Sequence, residues 1–443
     1  MPEVEGYRYI EAEFTREGAL HPPGRADEIL ALLREAPQPT DLLVLSHGWN
    51  NDMEEARALY RRLLGNLRQL GGGPARGGRL LAVLGVLWPS KKFADESVIP
   101  GGGVASAGEP DVALLGDKLD RLKDTLPPER AALLEEAKSA LGELESRRGA
   151  RELFVDRLRG ALDRDPAAEP DAADQFFDQD PEELFAGLEV PILLQAPPSG
   201  EDGGGAGGIG EPGGGTDDGG TAGPAEFASG IAAAANRLLN YATYYQMKTR
   251  AGVAGQGLAG LLEQIRRDRP KLRLHLAGHS FGARVVTAAA LASSASVRLA
   301  SLTLLQGAFS HNGFSGGFPF GGATGQGFFR AVVAERRIDG PIVVTHTAND
   351  RAVGVAYAIA SRLAQQANAD LGDAADVFGG IGRNGAVHTA ESEAGTLLPP
   401  GERYRFRAGT IHNLRADRFV ADHGDVTNPA VANALLAAIG WPA

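Results

Sequence analysis

The chain contains no cysteine. That excludes a disulfide framework and any thiolate metal site. Long apolar runs are missing too. The longest, such as Leu80 to Trp88, is too short to span a bilayer. The first residues, Met1 to Gly6, lack a basic region followed by an apolar stretch, so no signal peptide is expected. Together these absences make a cytoplasmic location the expectation. The one histidine pair four residues apart, His275 and His279, falls on the strand and turn around Ser280 and not on a predicted helix, so no helical metal site is read. No metal or other cofactor is therefore expected. There is no internal repeat. A positive surplus is also absent, since the net charge is −12. The deficit is uneven: residues 101–224 hold 27 acidic and 11 basic residues, a balance of −16, which leaves +4 for the rest. An acidic segment on a near-neutral body opposes a nucleic-acid-binding surface. It suits a solvated helical appendage better.

What remains is apolar enough for a large core, at 43% hydrophobic residues. The 443 residues could form two or three average domains, although single α/β domains run long. Residues 7–14 alternate and predict an edge strand. Helical spacing at Ile29, Leu32 and Leu33 predicts a helix over 25–35. Residues 41–46 and 80–88 are uninterrupted apolar runs, as in buried parallel strands. Between them, 52–70 predicts an amphipathic helix capped by Asn or Asp. This alternation predicts a doubly wound sheet. It breaks after Trp88. Residues 131–148 and 151–163 predict charged helices, and 172–188 a weaker one. Residues 199–224, Gly-rich with Asp and Glu, predict a disordered linker. Alternation resumes at Glu226. Helices are expected over 232–245, 257–267, 283–292, 356–367 and 429–439. Strands are expected over 271–277, 300–306 and 341–347, with a closing strand or pair at 404–408 and 411–419.

Two pentapeptides fit Gly-x-Ser-x-Gly, the pattern of a serine nucleophile elbow. One surrounds Ser280 and the other Ser315. With 60 glycines in the chain, a chance match is unsurprising. Flanks separate them. Ser280 stands between a predicted strand and a predicted helix, and an elbow needs that geometry. Gly278 and Gly282 lack the bulk that a strained turn would reject. Ser315 lies in a loop of Gly and Phe, residues 309–329. Ser280 is therefore the predicted nucleophile.

A serine needs a base, and the base an orienting carboxylate. Asp350 directly follows the second strand beyond the elbow, although an Asp there could also cap the next helix. Only His388, His412 and His423 follow it. His388 lies in a Gly-rich stretch and His412 within a predicted strand. His423 lies in the last loop, free to swing onto Ser280, and is the predicted base. The oxyanion donors expected are the backbone N–H groups of Phe281 and Trp49. His47, Gly48, His279, Phe309 and Phe314 are the expected substrate-binding residues. Phe318, Phe320, Tyr241, Tyr244 and Tyr245 could add to an apolar pocket, although aromatics at such spacing more often form core.

Four segments carry a resemblance: 45–49, 278–282, 348–350 and 422–425. They resemble the signature sites of the α/β-hydrolase superfamily, on its serine esterase/lipase side. The resemblance spans about residues 1–100 and 225–443, the expected catalytic domain. It implies an α/β fold with an eight-strand, mostly parallel sheet flanked by helices. It also implies ester hydrolysis through an acyl-enzyme on a small-molecule ester. Amide, thioester or acyl-transfer chemistry would use the same triad. A non-catalytic scaffold recruiting a partner through the acidic insertion is the reading from another class. Lids in this superfamily often follow the sixth strand, whereas the insertion at 101–198 follows the fourth. It is thus either a cap over the site or an appendage. The Gly/Phe loop occupies the usual lid position. Oligomeric state is not legible.

Overall fold

The computed structural model describes residues 2–49, 52–90, 111–164, 171–192, 230–320, 322–364 and 371–441. Asn50 and the 199–224 linker lie outside these. The centre is an 11-stranded, mostly parallel sheet flanked by helices. Three two-residue strands, Glu3–Val4, Leu20–His21 and Ala75–Arg76, pair antiparallel at its margin. The others run parallel. Their order across the sheet is Tyr7–Phe14, Arg79–Leu87, Asp41–Ser46, Arg273–His279, Ser301–Leu305, Ile342–His346, Ile411–Arg415 and Ser392–Thr396. The central strands are buried on both faces. Leu42 and Val44 join one apolar layer, Leu43 and Leu45 the other. That explains their unbroken apolar sequences.

From Asp41–Ser46 the chain turns to one side of the sheet, and later sets Arg273–His279 on the other. Such a reversal opens a crevice at the carboxyl ends of the strands. Ser46 lies beside Gly278 in register. The loop after each strand therefore emerges next to the other.

Several sequence expectations change. The helices expected at 232–245 and 257–267 are one 38-residue helix, Ile231–Asp268. Gly255 and Gly257 are weak helix formers, but tertiary contact at both overrides their propensity. A Cβ on Gly255 would stand 2.6 Å from the Ala288 Cβ, so glycine lets this helix press against Phe281–Ala292. The weak helix at 172–188 splits into Ala173–Asp178 and Pro181–Leu188, since Asp180-Pro181 starts a new cap. Residues 404–408 form no strand. Tyr404 and Phe406 stack at 4.7 Å, and Phe406 lies 4.8 Å from the His412 ring. The ladder partner of Ile411–Arg415 is Ser392–Thr396 instead.

The acidic insertion is no detached appendage. Its helices Val112–Lys123, Pro128–Ser139, Arg148–Ala161 and Pro181–Leu188 bury Leu115, Leu134, Phe154 and Phe185 in the same core as the sheet. Lys118 Nζ donates to Asn236 Oδ1 at 2.6 Å and Asn240 Oδ1 at 2.8 Å on the long helix. Lys248 and Asp171 form a buried ion pair between the same two parts. Among the described residues no helix is long and apolar enough to cross a membrane.

Candidate active site

Ser280 sits between strand Arg273–His279 and helix Phe281–Ala292, at φ 56° and ψ −124°. A non-glycine residue there is strained. Its backbone groups hold it. Its N–H donates to the Leu305 carbonyl at 3.0 Å, and its carbonyl accepts from Ala283 and Ala308 N–H, each at 3.0 Å. The flanking glycines are steric necessities. A Cβ on Gly278 would lie 2.2 Å from the Gly282 carbonyl oxygen, and one on Gly282 2.2 Å from the Ser46 carbonyl oxygen.

The three residues expected to form a triad meet. His423 Nε2 lies 2.8 Å from Ser280 Oγ, and His423 Nδ1 lies 2.9 Å from Asp350 Oδ2. Asp350 is fully buried, and Ser280 is 4% exposed. Asp350 both orients and caps: its Oδ1 accepts from the Val353 N–H at 3.0 Å and starts helix Arg351–Leu363. The two roles use different oxygens of one carboxylate.

The base loop is pinned from two sides. Asp422 Oδ1 accepts from Gly424 and Asp425 N–H at 2.8 and 3.0 Å. His279 Nε2 lies 2.8 Å from the His423 carbonyl oxygen, so that nitrogen carries the proton and donates. Asp417, which the sequence did not single out, ties the acid loop in place. Its Oδ1 accepts from Thr347 Oγ1 at 2.8 Å and Ala348 N at 3.0 Å. Asn349 Nδ2 donates back to the Asp417 carbonyl at 3.1 Å.

Phe281 is the first residue of its helix, so its N–H has no partner within that helix. Gly48 brings the other loop close: a Cβ there would lie 2.7 Å from the Ser280 Cβ. His47 fixes that loop. Its Nδ1 lies 2.9 Å from the Gly48 carbonyl oxygen, and its Nε2 accepts from the Trp88 N–H at 3.3 Å. Its ring stacks on Trp88 at 5.6 Å. Holding the Gly48 carbonyl turns the Trp49 N–H to the opposite side of a trans peptide.

The five expected substrate-binding residues take other places. His47 and His279 are buried supports, and Gly48 packs against Ser280. Phe309 and Phe314 pack on Phe329, with ring centroids at 4.9 and 6.4 Å. Their loop, expected at a lid position, is core in this part, because its apolar rings find each other rather than solvent. Beside Ser280 and His423 opens a cleft of about 360 Å³, counting its open mouth. Trp49, Tyr244 and Phe281 form its aromatic walls; Ala308, Ala352, Val353 and Ala356 complete it. The four aliphatic residues carried no sequence signal, being ordinary members of a helix and a loop. Among the described residues, none of the insertion lines this cleft.

The competing residues are occupied elsewhere. Ser315 is fully buried, donates to the His388 carbonyl at 2.7 Å and accepts from the Gly317 N–H at 3.0 Å. His388 Nδ1 meets Asn312 Oδ1 at 2.8 Å. His412 Nδ1 meets Glu393 Oε1 at 2.6 Å. A second Asp–His–Ser chain lies at the amino ends of the strands. Asp41 Oδ1 is 3.0 Å from His275 Nε2, and His275 Nδ1 is 2.8 Å from Ser301 Oγ. All three are fully buried, and Arg79 also holds Asp41. With no access for a substrate, this chain pins neighbouring strands. Among the described residues no group of three or more His, Asp or Glu is arranged to hold a metal.

No family model, curated protein or solved structure matches the chain. The chemistry open to the site follows from its geometry and electrostatics. Burial pulls the His423 pKa down, but the charge and hydrogen bond of Asp350, with Asp422, outweigh it and leave it raised. Burial pushes His47 down to about 4 and His279 down to about 3, so both are neutral supports. In the unfolded chain each imidazole titrates near its ordinary value of about 6.5. Below that pH the unfolded state binds these protons first. The stability they contribute is thus full above pH ~6.5 and falls as pH drops toward their folded values. About 2 kcal/mol per histidine is expected to be lost at pH ~5. His423, shifted the other way, offsets part of this. Urea melts across that range measure the loss; a midpoint unchanged down to pH ~5 would contradict it.

Proposed function

We propose that this protein is a serine hydrolase of the α/β-hydrolase type that cleaves carboxylic esters through an acyl-enzyme. The observation that carries the proposal is the unbroken Ser280–His423–Asp350 hydrogen-bond chain, with Ser280 held at positive φ beside an open cleft. The parallel sheet and its switch point support the fold assignment.

In the proposed reaction His423 Nε2 takes the hydroxyl proton as Ser280 Oγ bonds to the ester carbonyl carbon. The carbonyl π electrons move to its oxygen, which the N–H groups of Phe281 and Trp49 receive. Asp350 stays ionised and holds the imidazolium through Nδ1–H. The tetrahedral intermediate collapses, the bond to the alcohol oxygen breaks, and His423 returns its proton to the leaving alcohol. Water then adds to the acyl carbon as His423 takes one of its protons. The carboxylic acid departs, and Ser280 recovers its proton.

The direct test is labelling by a fluorophosphonate probe with mapping of the modified peptide, alongside hydrolysis of p-nitrophenyl esters. Modification at Ser280 is expected. A labelled peptide without Ser280, or none with no ester turnover, would overturn the proposal.

The rate should also report the base. Neutral His423 is the active form, so kcat/KM should rise with pH through its titration. With the folded pKa raised, the midpoint should lie above the ordinary imidazole value of about 6.5. A midpoint clearly below that value would contradict the assignment.

A further inference from the structure

We infer that the substrate is a small ester with a short, uncharged acyl chain that lodges against helix Arg351–Leu363. This rests on the serine-hydrolase proposal above. The cleft beside Ser280 measures about 360 Å³ even with its open mouth included. Much of that figure is open solvent, so the enclosed space beside Ser280 is smaller still. Ala352 and Ala356 stand one turn apart on the helix, with Val353 beside them. Ala308 adds another small side chain. These residues leave room for a few carbons close to the nucleophile and line it with hydrocarbon. Among the described lining residues only His423 is titratable near neutral pH, and it is committed to Ser280 and Asp350. A charged acyl group would lose its hydration with no partner to replace it.

The wall is not free to recede. Its helix begins at Asp350, so wall and catalytic acid move as one element. Insertion helix Pro181–Leu188 packs against it, and a Cβ on Gly187 would lie 3.4 Å from the Arg362 carbonyl oxygen. The hydroxyls of Tyr357 on this helix and Tyr244 on the long helix meet at 3.0 Å. The described part of the acidic insertion thus braces the pocket wall and does not line the mouth. Chain length is set by a rigid helix face.

The experiment compares kcat/KM for the p-nitrophenyl esters of acetate, butyrate, octanoate and palmitate, and for mono-p-nitrophenyl succinate. Active sites are counted by fluorophosphonate titration. Butyrate is expected to be best. Octanoate should fall about tenfold below it and palmitate further, as the chain outgrows the pocket. The succinate monoester, similar in length but charged, should fall about a hundredfold below butyrate. Ala356→Leu should lower the butyrate-to-acetate ratio about tenfold. Titration corrects that ratio for any misfolded fraction, and the wild-type series stands without the variant. Palmitate preferred over butyrate, or succinate monoester accepted as well as butyrate, overturns the pocket proposal. So does an unchanged ratio in Ala356→Leu. If Ser280 labels normally in those cases, the hydrolase proposal stands. If Ser280 does not label and no ester turns over, both fall.

Discussion

Ser280→Ala is expected to lower kcat for ester hydrolysis by up to about 10⁶-fold, while Ser315→Ala leaves it within about twofold. Both serines sit in Gly-x-Ser-x-Gly, so the motif alone makes them equal. Their surroundings do not. The Ser280 hydroxyl faces an imidazole at 2.8 Å and an open cleft. Removing it leaves His423 with no hydroxyl to deprotonate. Some rate above water should survive, because the N–H groups at Phe281 and Trp49 remain. Folding should survive as well, since the Ser280 backbone bonds to Leu305, Ala283 and Ala308 do not involve the side chain. The Ser315 hydroxyl links the His388 carbonyl to the Gly317 N–H inside the core. Its removal should cost about 1–2 kcal/mol of stability and little turnover. The check is kcat beside a denaturant melt for each variant. Near-normal turnover by Ser280→Ala would sink the assignment outright.

Asp350→Asn should lower kcat by about 10⁴-fold yet leave the melt almost unmoved. The two effects separate because the carboxylate does two things. Through Oδ1 it caps helix Arg351–Leu363, and asparagine caps about as well as aspartate. Through Oδ2 it accepts the hydrogen bond from His423 Nδ1–H, which fixes the tautomer and would stabilise an imidazolium. An amide there cannot carry the charge and can present the wrong group. Asp350→Ala should lose similar turnover and, in addition, about 1 kcal/mol of cap. The pH profile offers a separate readout. Asp350 is a cause of the raised His423 pKa, so the rate midpoint should move down in both variants. A purely structural Asp350 would leave that midpoint where it was. Full activity in Asp350→Asn would show that this carboxylate only caps.

Much of this site was legible because its key parts are local. Strand, strained serine and helix occupy one short stretch around Ser280, and the need for small neighbours acts within that stretch. Asp350 and His423 could be nominated because each follows a strand or precedes a helix. Other parts were not legible. Residues 232–245 and 257–267 read as two helices, yet close packing of Gly255 on Ala288 accompanies one continuous helix. Phe309 and Phe314 looked like pocket residues, but aromatic contact draws them together on Phe329 instead. The charge of the insertion suggested solvation, while its apolar faces were buried in the main core.

The sequence by itself determined the alternation of strands and helices, and which serine could stand in a strained elbow. Such properties follow from side-chain pattern and backbone sterics over a few residues. Tertiary structure alone decided that His423, 143 positions from Ser280, reaches it. It also decided that His388 and His412 are engaged elsewhere, and that Asp41, His275 and Ser301 make a buried look-alike. It alone set small aliphatic residues beside Ser280. Those outcomes depend on sheet register and packing between distant segments, which local pattern does not encode.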